Sequence, residues 1–228
     1  MKSFIRQWGG AAALVCAALS PQAQASTLID FEGDALTGLY FPGDSFSQSG
    51  FTMTQGFDFG TVDTAASLGP FAPSGNATQF YFNSNFGDML LTQSNGGRFS
   101  LDGFSAAFVP IDPQLGQTIV LVALATDGDG NQFGTAFGLG SGSNGSFPFL
   151  TFNDPQDFGR FTNLVSVNFF GCAFTGNFDC SAATVQNNGQ FALDDIRLTV
   201  AAIPEPTTTA LLALGLLGLA VASRRSVR

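Results

Sequence analysis

"FALDDIRLTV", residues 191–200, is the stretch that decides the fold. Phe191 and Leu193 share one parity, whereas the apolar residues between Ile196 and Val200 share the other. Because side chains alternate between the two faces of a β-strand, a regular strand cannot bury both sets on one face. The pattern therefore predicts a bulge or kink at Asp194–Asp195, and bulges often re-aim side chains at functional sites.

The remainder of residues 26–203 has the same character. Short runs rich in Phe, Val, Ile and Thr are separated by clusters of Gly, Asn, Asp, Pro and Ser. Several runs alternate with period two, as in Phe99 and Leu101, and in Val165, Val167 and Phe169. The predicted strands are 27–31, 50–55, 78–83, 98–109, 118–125, 131–139, 147–153, 161–170 and 191–200. Residues 56–78 are predicted to form a long loop or an irregular strand pair. Many short strands separated by turn residues indicate an all-β, antiparallel β-sandwich or barrel.

Each end of the chain differs from this body. Lys2 and Arg6 precede an apolar stretch, and Ala23 and Ala25 frame a small-x-small cleavage site. That order is typical of a secretory signal peptide. Residues 1–25 are therefore predicted to form a signal helix that is removed by cleavage. The mature body is then residues 26–203.

The C-terminal end combines a turn, an apolar run and basic residues. Pro204, Glu205 and Pro206 precede residues 210–222, which contain only Ala, Leu, Gly and Val. As a helix this run is about 20 Å long, which is short for a hydrocarbon core of about 30 Å. Arg224 and Arg225 follow, and basic residues retained on the cytoplasmic side obey the positive-inside rule. The pattern predicts a transmembrane helix that serves as a temporary anchor; the alternative is a buried helix of the fold.

This three-part tail, residues 204–228, resembles the PEP-CTERM sorting signal of Gram-negative bacteria. The resemblance implies that the chain is the substrate of an exosortase and is cleaved near the motif. It also implies transit through the inner membrane to the cell surface or medium, and association with exopolysaccharide or biofilm.

Charge and cysteine content agree with an exported protein. Of the 8 Lys and Arg residues only Arg98, Arg160 and Arg197 lie in the body, against 16 of the 17 acidic residues. Such a surface repels nucleic acid, so no nucleic-acid partner is expected. Cys172 and Cys180 remain after signal removal, and in an oxidising compartment they are predicted to form a disulfide. Metal binding is the alternative for this pair, but two ligands cannot fill a zinc site.

Few residues of the body suit catalysis. The sequence has no His, and the body has no Lys and a single Glu. A serine nucleophile would lack its usual base, and no G-x-S-x-G elbow is present. Paired aspartates could still hydrolyse glycosides, but no pair is singled out. The prediction is a protein that is not an enzyme.

Two acidic clusters suggest cation binding. The first is "IDFEGD", in which Asp30 and Glu32 are predicted to point outward while Ile29 and Phe31 point inward. The second is Asp194–Asp195. Oxygen ligands suit Ca²⁺; the alternative is that these are solvated carboxylates at strand ends. A third acidic stretch, 126–133, departs from the EF-hand pattern and is predicted to be a hairpin turn.

The "DFEG" opening and the "F-x-x-D-D-I-x-L" closing strand resemble the terminal strands of jelly-roll carbohydrate-binding modules. The resemblance implies a jelly-roll-like sandwich whose first and last strands hold a structural Ca²⁺. Carried over by position, its ligands are Asp30, Glu32 and Asp195, with Asp194 as a further candidate. The mature body has no Trp and only Tyr40 and Tyr81, which weighs against a stacking platform for sugars. The first expectation is therefore an exported structural or matrix protein, followed by a calcium-stabilised glycan-binding module and then a glycoside hydrolase.

Overall fold

The computed structural model of the chain describes residues 24–84, 87–109, 118–140, 147–174 and 189–201. Residues between Ser26 and Val200 form one compact unit. The predicted signal helix, apart from its last two residues, and the predicted sorting signal lie outside the described ranges. Within those ranges no helix has both the length and the apolarity needed to cross a membrane.

The described chain is built almost entirely from β-strands, and the pairs among the strands from Gly38 onward are antiparallel. The strands are β1 (Gln24–Ile29), β2 (Gly38–Tyr40), β3 (Ser45–Gln48), β4 (Phe51–Gln55), β5 (Gly60–Thr64), β6 (Gln79–Asn83), β7 (Asp88–Gln93), β8 (Phe99–Phe108), β9 (Thr118–Asp127), β10 (Gln132–Gly140), β11 (Leu150–Phe152), β12 (Leu164–Phe174) and β13 (Phe191–Ala201). Short helices occur at Ala65–Leu68 and Pro155–Phe158, and 3₁₀ turns at Asp34–Leu36 and Gly69–Phe71. The predicted all-β class is confirmed.

The strands form two layers. The first has the order β2-β5-β6-β13-β8-β11, and β1 also pairs with β13. The second has the order β3-β4-β7-β12-β9-β10. A single residue pair, Leu164 with Phe99, connects β12 to β8 and so joins the layers into one hydrogen-bonded sheet. The arrangement is an antiparallel β-sandwich with one continuous corner, in agreement with the predicted architecture.

Aromatic rings fill the space between the layers. Phe104 of β8 lies 5.5 Å from Phe169 of β12 and 4.9 Å from Phe137 of β10, between ring centroids, in edge-to-face contacts. Phe51 of β4 contacts Phe99 of β8 in the same way at 5.2 Å. Rings in such geometries stabilise a core beyond the area that they bury. The high Phe content therefore serves the sandwich core.

The predicted bulge in the closing strand is confirmed. Phe191 and Leu193 are buried in the core, and so are Ile196 and Leu198. Between Asp194 and Arg197 the register of β13 against β8 shifts, because β13 advances three residues while β8 advances two. The extra residue lets both apolar sets face the same core.

The neighbouring strand β8 switches faces as well, which the sequence analysis did not predict. Phe99 and Leu101 are buried in the core, and Phe104 and Ala106 continue it from the opposite parity. The register shifts between Arg197 and Leu198, where β8 advances two residues against one in β13. The extra residue in β8 compensates for the extra residue in β13, so the two strands are again in register beyond it.

The alternation predicted for Val165, Val167 and Phe169 was only partly correct. Val167 and Phe169 are buried in the core as expected, but Val165 is only half-buried and Leu164 takes the core position. The register of β12 against β9 shifts between Leu164 and Ser166. A bulge at Val165 therefore moves the preceding side chain into the core.

The strand prediction was incomplete elsewhere. Strands β2, β3, β5 and β7 were not predicted, and residues 56–78 contain β5, a short helix and a 3₁₀ turn. The opening strand ends at Ile29, before the predicted end at Phe31. Phe31 has a φ of 54° and is still fully buried. Its burial agrees with the prediction although its backbone is no longer extended.

A substitution at Gly103 tests the irregular part of β8. A Cβ at this position would lie 2.6 Å from the backbone oxygen of Phe152 in β11. Because backbone cannot move aside without breaking the β8–β11 pairing, we expect Gly103→Ala to lower the free energy of unfolding by about 1–3 kcal/mol. Urea denaturation measures the change.

The matched control is Gly138→Ala in β10, where an added Cβ meets no atom within 4 Å. We expect this control to be close to neutral. Equal destabilisation by both substitutions would show that strand propensity, and not the contact with β11, determines the effect.

Candidate functional site

The β13 bulge places two adjacent carboxylates on the outer face of the first layer. Asp195 has a φ of 50°, in the left-handed region that few non-glycine residues adopt. Its backbone N–H donates to the Oδ1 atom of Asp194 at 2.8 Å. The two aspartates therefore point away from the core that Leu193 and Ile196 occupy on either side of them.

Asp194 lies in a row of polar side chains that crosses three strands. In the strand register Asp194 of β13 is opposite Ser105 of β8, and Ser105 is opposite Thr151 of β11. The Oγ atom of Ser105 lies 3.2 Å from Oγ1 of Thr151 and 3.4 Å from Oδ2 of Asp195. Neighbouring residues in register share a face of the sheet, so this polar row lies on the outer face of the layer.

A loop from elsewhere in the chain faces the row. Asn76 donates from Nδ2 to Oδ2 of Asp194 at 2.6 Å. Its Oδ1 atom accepts hydrogen bonds from the backbone N–H and the hydroxyl of Thr78, at 2.8 and 2.7 Å. Ser74 bonds through its backbone to Phe147 and Phe149, at 3.1 and 2.9 Å. These bonds fix the loop above the sheet.

A small apolar cluster covers the adjoining part of this outer face. Its buried members are Phe80, Phe82, Ala107, Val109 and Ala192, against which Leu68 and Phe149 pack. The ring of Phe149 meets that of Phe80 edge to face at 5.3 Å. This apolar cluster therefore adjoins the polar row on the outer face of the layer.

The space between loop and polar row is a cleft of about 390 Å³. Its lining is mostly polar or small and comprises Gly75, Asn76, Ala77, Thr78, Ser105, Phe149, Thr151, Asp194 and Asp195. No basic side chain is among these residues. The cleft is the candidate functional site.

The electrostatics of the cleft centre on Asp194, which is 3% exposed. Burial raises the pKa of its carboxyl to about 7, and the charges of Asp195 and Glu32 contribute in the same direction. Hydrogen bonds from Asn76 and from the Asp195 backbone act against this rise. Near neutral pH Asp194 therefore exchanges a proton inside the cleft.

The predicted metal ligands occupy different surroundings. Asp30 accepts a hydrogen bond from Nε2 of Gln48 at 2.7 Å. Glu32 accepts one from the backbone N–H of Gln79 at 2.9 Å, and its charge acts on Asp194. In the part of the chain that the structure describes, no three acidic, cysteine or histidine residues group closely enough to hold a metal ion. Calcium binding by Asp30, Glu32, Asp194 and Asp195 stays a prediction.

The third acidic stretch is a hairpin turn, as predicted. It connects β9 to β10, which pair antiparallel. Asp127 accepts from the backbone N–H groups of Asp129 and Asn131, both at 2.9 Å, and from the Asn131 side chain. Hydrogen bonds from Asn131 lower the pKa of Asp127. The carboxylate thus stabilises the turn.

The other predicted residues lie mainly outside the described ranges. Cys172 is buried in β12, whereas Cys180 is outside, so the disulfide stays a prediction. Ala23 is also outside, and Ala25 lies in β1. The cleavage site and the roles of Pro204–Pro206, Arg224 and Arg225 stay predictions.

Comparison with known proteins identifies the tail. Residues 202–225 match the PEP-CTERM protein-sorting motif. The chain therefore carries this sorting signal, as the sequence analysis predicted, and the signal implies export with transient membrane anchoring. No curated protein matches the sequence significantly.

The fold has counterparts among solved structures. A DUF4465 family protein from Bacteroides caccae is 13% identical, with a TM-score of 0.50, covering 79% of this chain and 93% of that one. The C-terminal family 22 carbohydrate-binding module from Clostridium thermocellum is 12% identical, with a TM-score of 0.34, covering 76% and 100%. The family 11 carbohydrate-binding module from the same organism is 13% identical, with a TM-score of 0.33, covering 78% and 96%. At 13% identity, the likeness to the DUF4465 family protein concerns the fold alone.

The proton on Asp194 makes stability depend on pH in a testable way. Its folded pKa of about 7 lies above the ordinary value of 3.8. The stability that it contributes is complete below pH 3.8 and is lost as pH rises to about 7, because the unfolded chain ionises first. One such group limits the slope to about 1.4 kcal/mol per pH unit.

We expect Asp194→Asn, which cannot ionise, to gain stability relative to the parent chain between pH 4 and pH 8, in urea denaturation. Asp127→Asn is the control: because the pKa of Asp127 is lowered from 3.8, its contribution changes only at more acidic pH, and the difference between this variant and the parent chain should stay nearly constant from about pH 5 to pH 8. A constant difference between Asp194→Asn and the parent chain at all pH values would contradict the raised pKa.

Proposed function

We propose that the protein is a non-enzymatic surface or extracellular-matrix protein that an exosortase sorts and that associates with exopolysaccharide. The observation that carries the proposal is the PEP-CTERM motif at residues 202–225, directly after the last described strand of the sandwich. In this order the sandwich is exported first and the tail holds it at the inner membrane. Cleavage near the motif then releases it.

The charge distribution supports a role outside the cell. Two of the three arginines of the body are engaged locally. Arg98 donates to the Gly128 carbonyl at 3.0 Å, and Arg160 donates to the Gly134 carbonyl at 3.0 Å and lies over the Phe133 ring. These contacts are with uncharged groups, and the body has 16 acidic residues against three arginines. The acidic groups therefore dominate its charge, which favours solubility and disfavours nucleic acid.

A disulfide between Cys172 and Cys180 belongs to the same proposal. An exported chain passes through an oxidising compartment, where an even pair of cysteines close in sequence forms a bridge. In the entropy model a short closed loop contributes about 2–3 kcal/mol. The bridge would fix the end of β12.

A second candidate function is a calcium-stabilised glycan-binding module. The observation that favours it is electrostatic: the negative charges of Asp195 and Glu32 both raise the pKa of Asp194, and Glu32 follows the first strand while the two aspartates lie in the last. A divalent cation would offset these charges, and carboxylate oxygens are suitable Ca²⁺ ligands.

The sorting role predicts a processing defect. Replacing Pro204, Glu205 and Pro206 by alanine should leave the protein uncleaved in the membrane fraction, because the exosortase no longer recognises the tail. Fractionation and immunoblotting of the producing cells measure the outcome. Replacing Thr207–Thr209 by alanine is the control, since it leaves the motif in place. Normal release of the motif variant would refute sorting by an exosortase.

The calcium candidate predicts a rise in melting temperature. A ligand that binds only the folded state stabilises it by about 2.7 kcal/mol at a hundredfold excess over Kd. We expect Glu32→Gln to abolish the shift, because it removes the charge and keeps an acceptor for the Gln79 N–H. Asp157→Asn, at an exposed position in the short helix, should retain it. An unchanged melting temperature at millimolar calcium would rule the candidate out.

A further inference from the structure

We infer that the cleft between the Asn76 loop and the Asp194–Ser105–Thr151 row binds an uncharged sugar unit of a polysaccharide. This inference deepens the proposed function and rests on it, because the exopolysaccharide would supply the ligand. It assigns the contact to a specific site on the sandwich. The hydrogen bonds come from the chain itself and need no metal ion.

The polar groups of the cleft suit a ligand that is rich in hydroxyl groups. Hydroxyls of Thr78, Ser105 and Thr151 line it, together with the carboxylate of Asp195. A hydroxyl group both donates and accepts, and a carboxylate accepts from ligand hydroxyls. The two contacts that Ser105 makes, at 3.2 and 3.4 Å, are long for bonds between oxygens. A ligand hydroxyl could therefore bind Ser105 at better distances.

Charge excludes one class of sugar. Asp194 and Asp195 line the cleft, Glu32 acts on Asp194, and none of the lining residues that the structure describes is basic. An anionic ligand such as a uronic acid would meet uncompensated negative charge at close range. Specificity then follows from repulsion of the wrong ligand as well as from hydrogen bonds to the right one.

The size and the apolar part of the lining fit a short stretch of glycan. A volume of about 390 Å³ lies near the lower end of the roughly 300–1,000 Å³ that small-molecule sites occupy. Phe149 is half-buried and its ring is fixed against Phe80. It offers an apolar surface to the C–H groups of a sugar ring.

The site is also held in place before any ligand binds. Asn76 is hydrogen-bonded to Asp194 and Thr78, while Ser105 and Thr151 lie on paired strands. Groups fixed in position lose little conformational freedom on binding, which improves affinity.

The test uses the full chain in a detergent without sugar groups, with EDTA present. The probes are cellotriose, maltotriose, mannotriose and N,N′,N″-triacetylchitotriose as uncharged ligands, and trigalacturonic acid as the anionic one. Saturation-transfer NMR detects binding and calorimetry gives Kd. We expect at least one uncharged trisaccharide to bind, and trigalacturonic acid to bind at least tenfold more weakly.

Two variants locate the binding in the cleft. Ala77 and Thr151 are exposed lining residues, so Ala77→Trp should fill the cleft and abolish binding without unfolding the chain. Thr151→Val should weaken binding several-fold. Thr54→Val is the matched control, because Thr54 also bonds a cross-strand serine, Ser45, but in the other layer. Thermal melting confirms that each variant is folded.

Three results would overturn the inference. The first is that no uncharged trisaccharide binds at about 10 mM. The second is that trigalacturonic acid binds as well as the uncharged trisaccharides, and the third is that Ala77→Trp leaves binding unchanged. The outcome is separate from the sorting experiment, since sugar binding by the purified chain does not depend on release from the membrane. If sorting fails while sugar binding is intact, the proposed sorting by an exosortase is wrong and the binding site still stands.

Discussion

The sandwich depends on one constraint: its central strand β13 must bury apolar side chains of both parities on the same face. The chain meets this constraint with an extra residue at Asp194–Asp195, and β8 follows with its own irregularity between Leu101 and Phe104. These two strands occupy the middle of the first layer, so their register aligns the layer's remaining strands. The core rings, including Phe104, reach the second layer only because both strands change parity where they do.

The same irregularity creates the electrostatic character of the outer face. A carboxylate that sits beside a bulge is held by backbone geometry, so Asp194 stays 3% exposed although burial disfavours its charge. Asn76 offsets part of this cost with a hydrogen bond of 2.6 Å. The same hydrogen bond connects the loop that forms one wall of the cleft to the bulge that forms the other.

Sequence reasoning reached the parts of this arrangement that are local along the chain. The change of parity at Asp194–Asp195 is visible within ten consecutive residues of the sequence, so the bulge could be predicted. The bulge at Val165 could not, because Val165 continues the parity of Val167 and Phe169, so the run shows no break at that point. The remaining cleft residues are joined only by the fold: Asn76 and Asp194 are 118 positions apart, and Ser105 and Asp195 are 90 apart. Short strands such as β2 and β5 also escaped notice, because pairing with neighbours defines them more than composition does.

The core and the cleft do not depend equally on the extra residue in β13. Deleting one residue at Asp194–Asp195 would remove a carboxylate from the cleft, but the shortened strand would alternate regularly and would keep Leu193, Ile196 and Leu198 on one face. The pairing with β8 would have to adjust locally, because β13 now advances three residues there while β8 advances two. The extra residue therefore serves the outer face of the layer more than its inner face, and a change in strand length at this point would alter the chemistry of the cleft before it exposed the core.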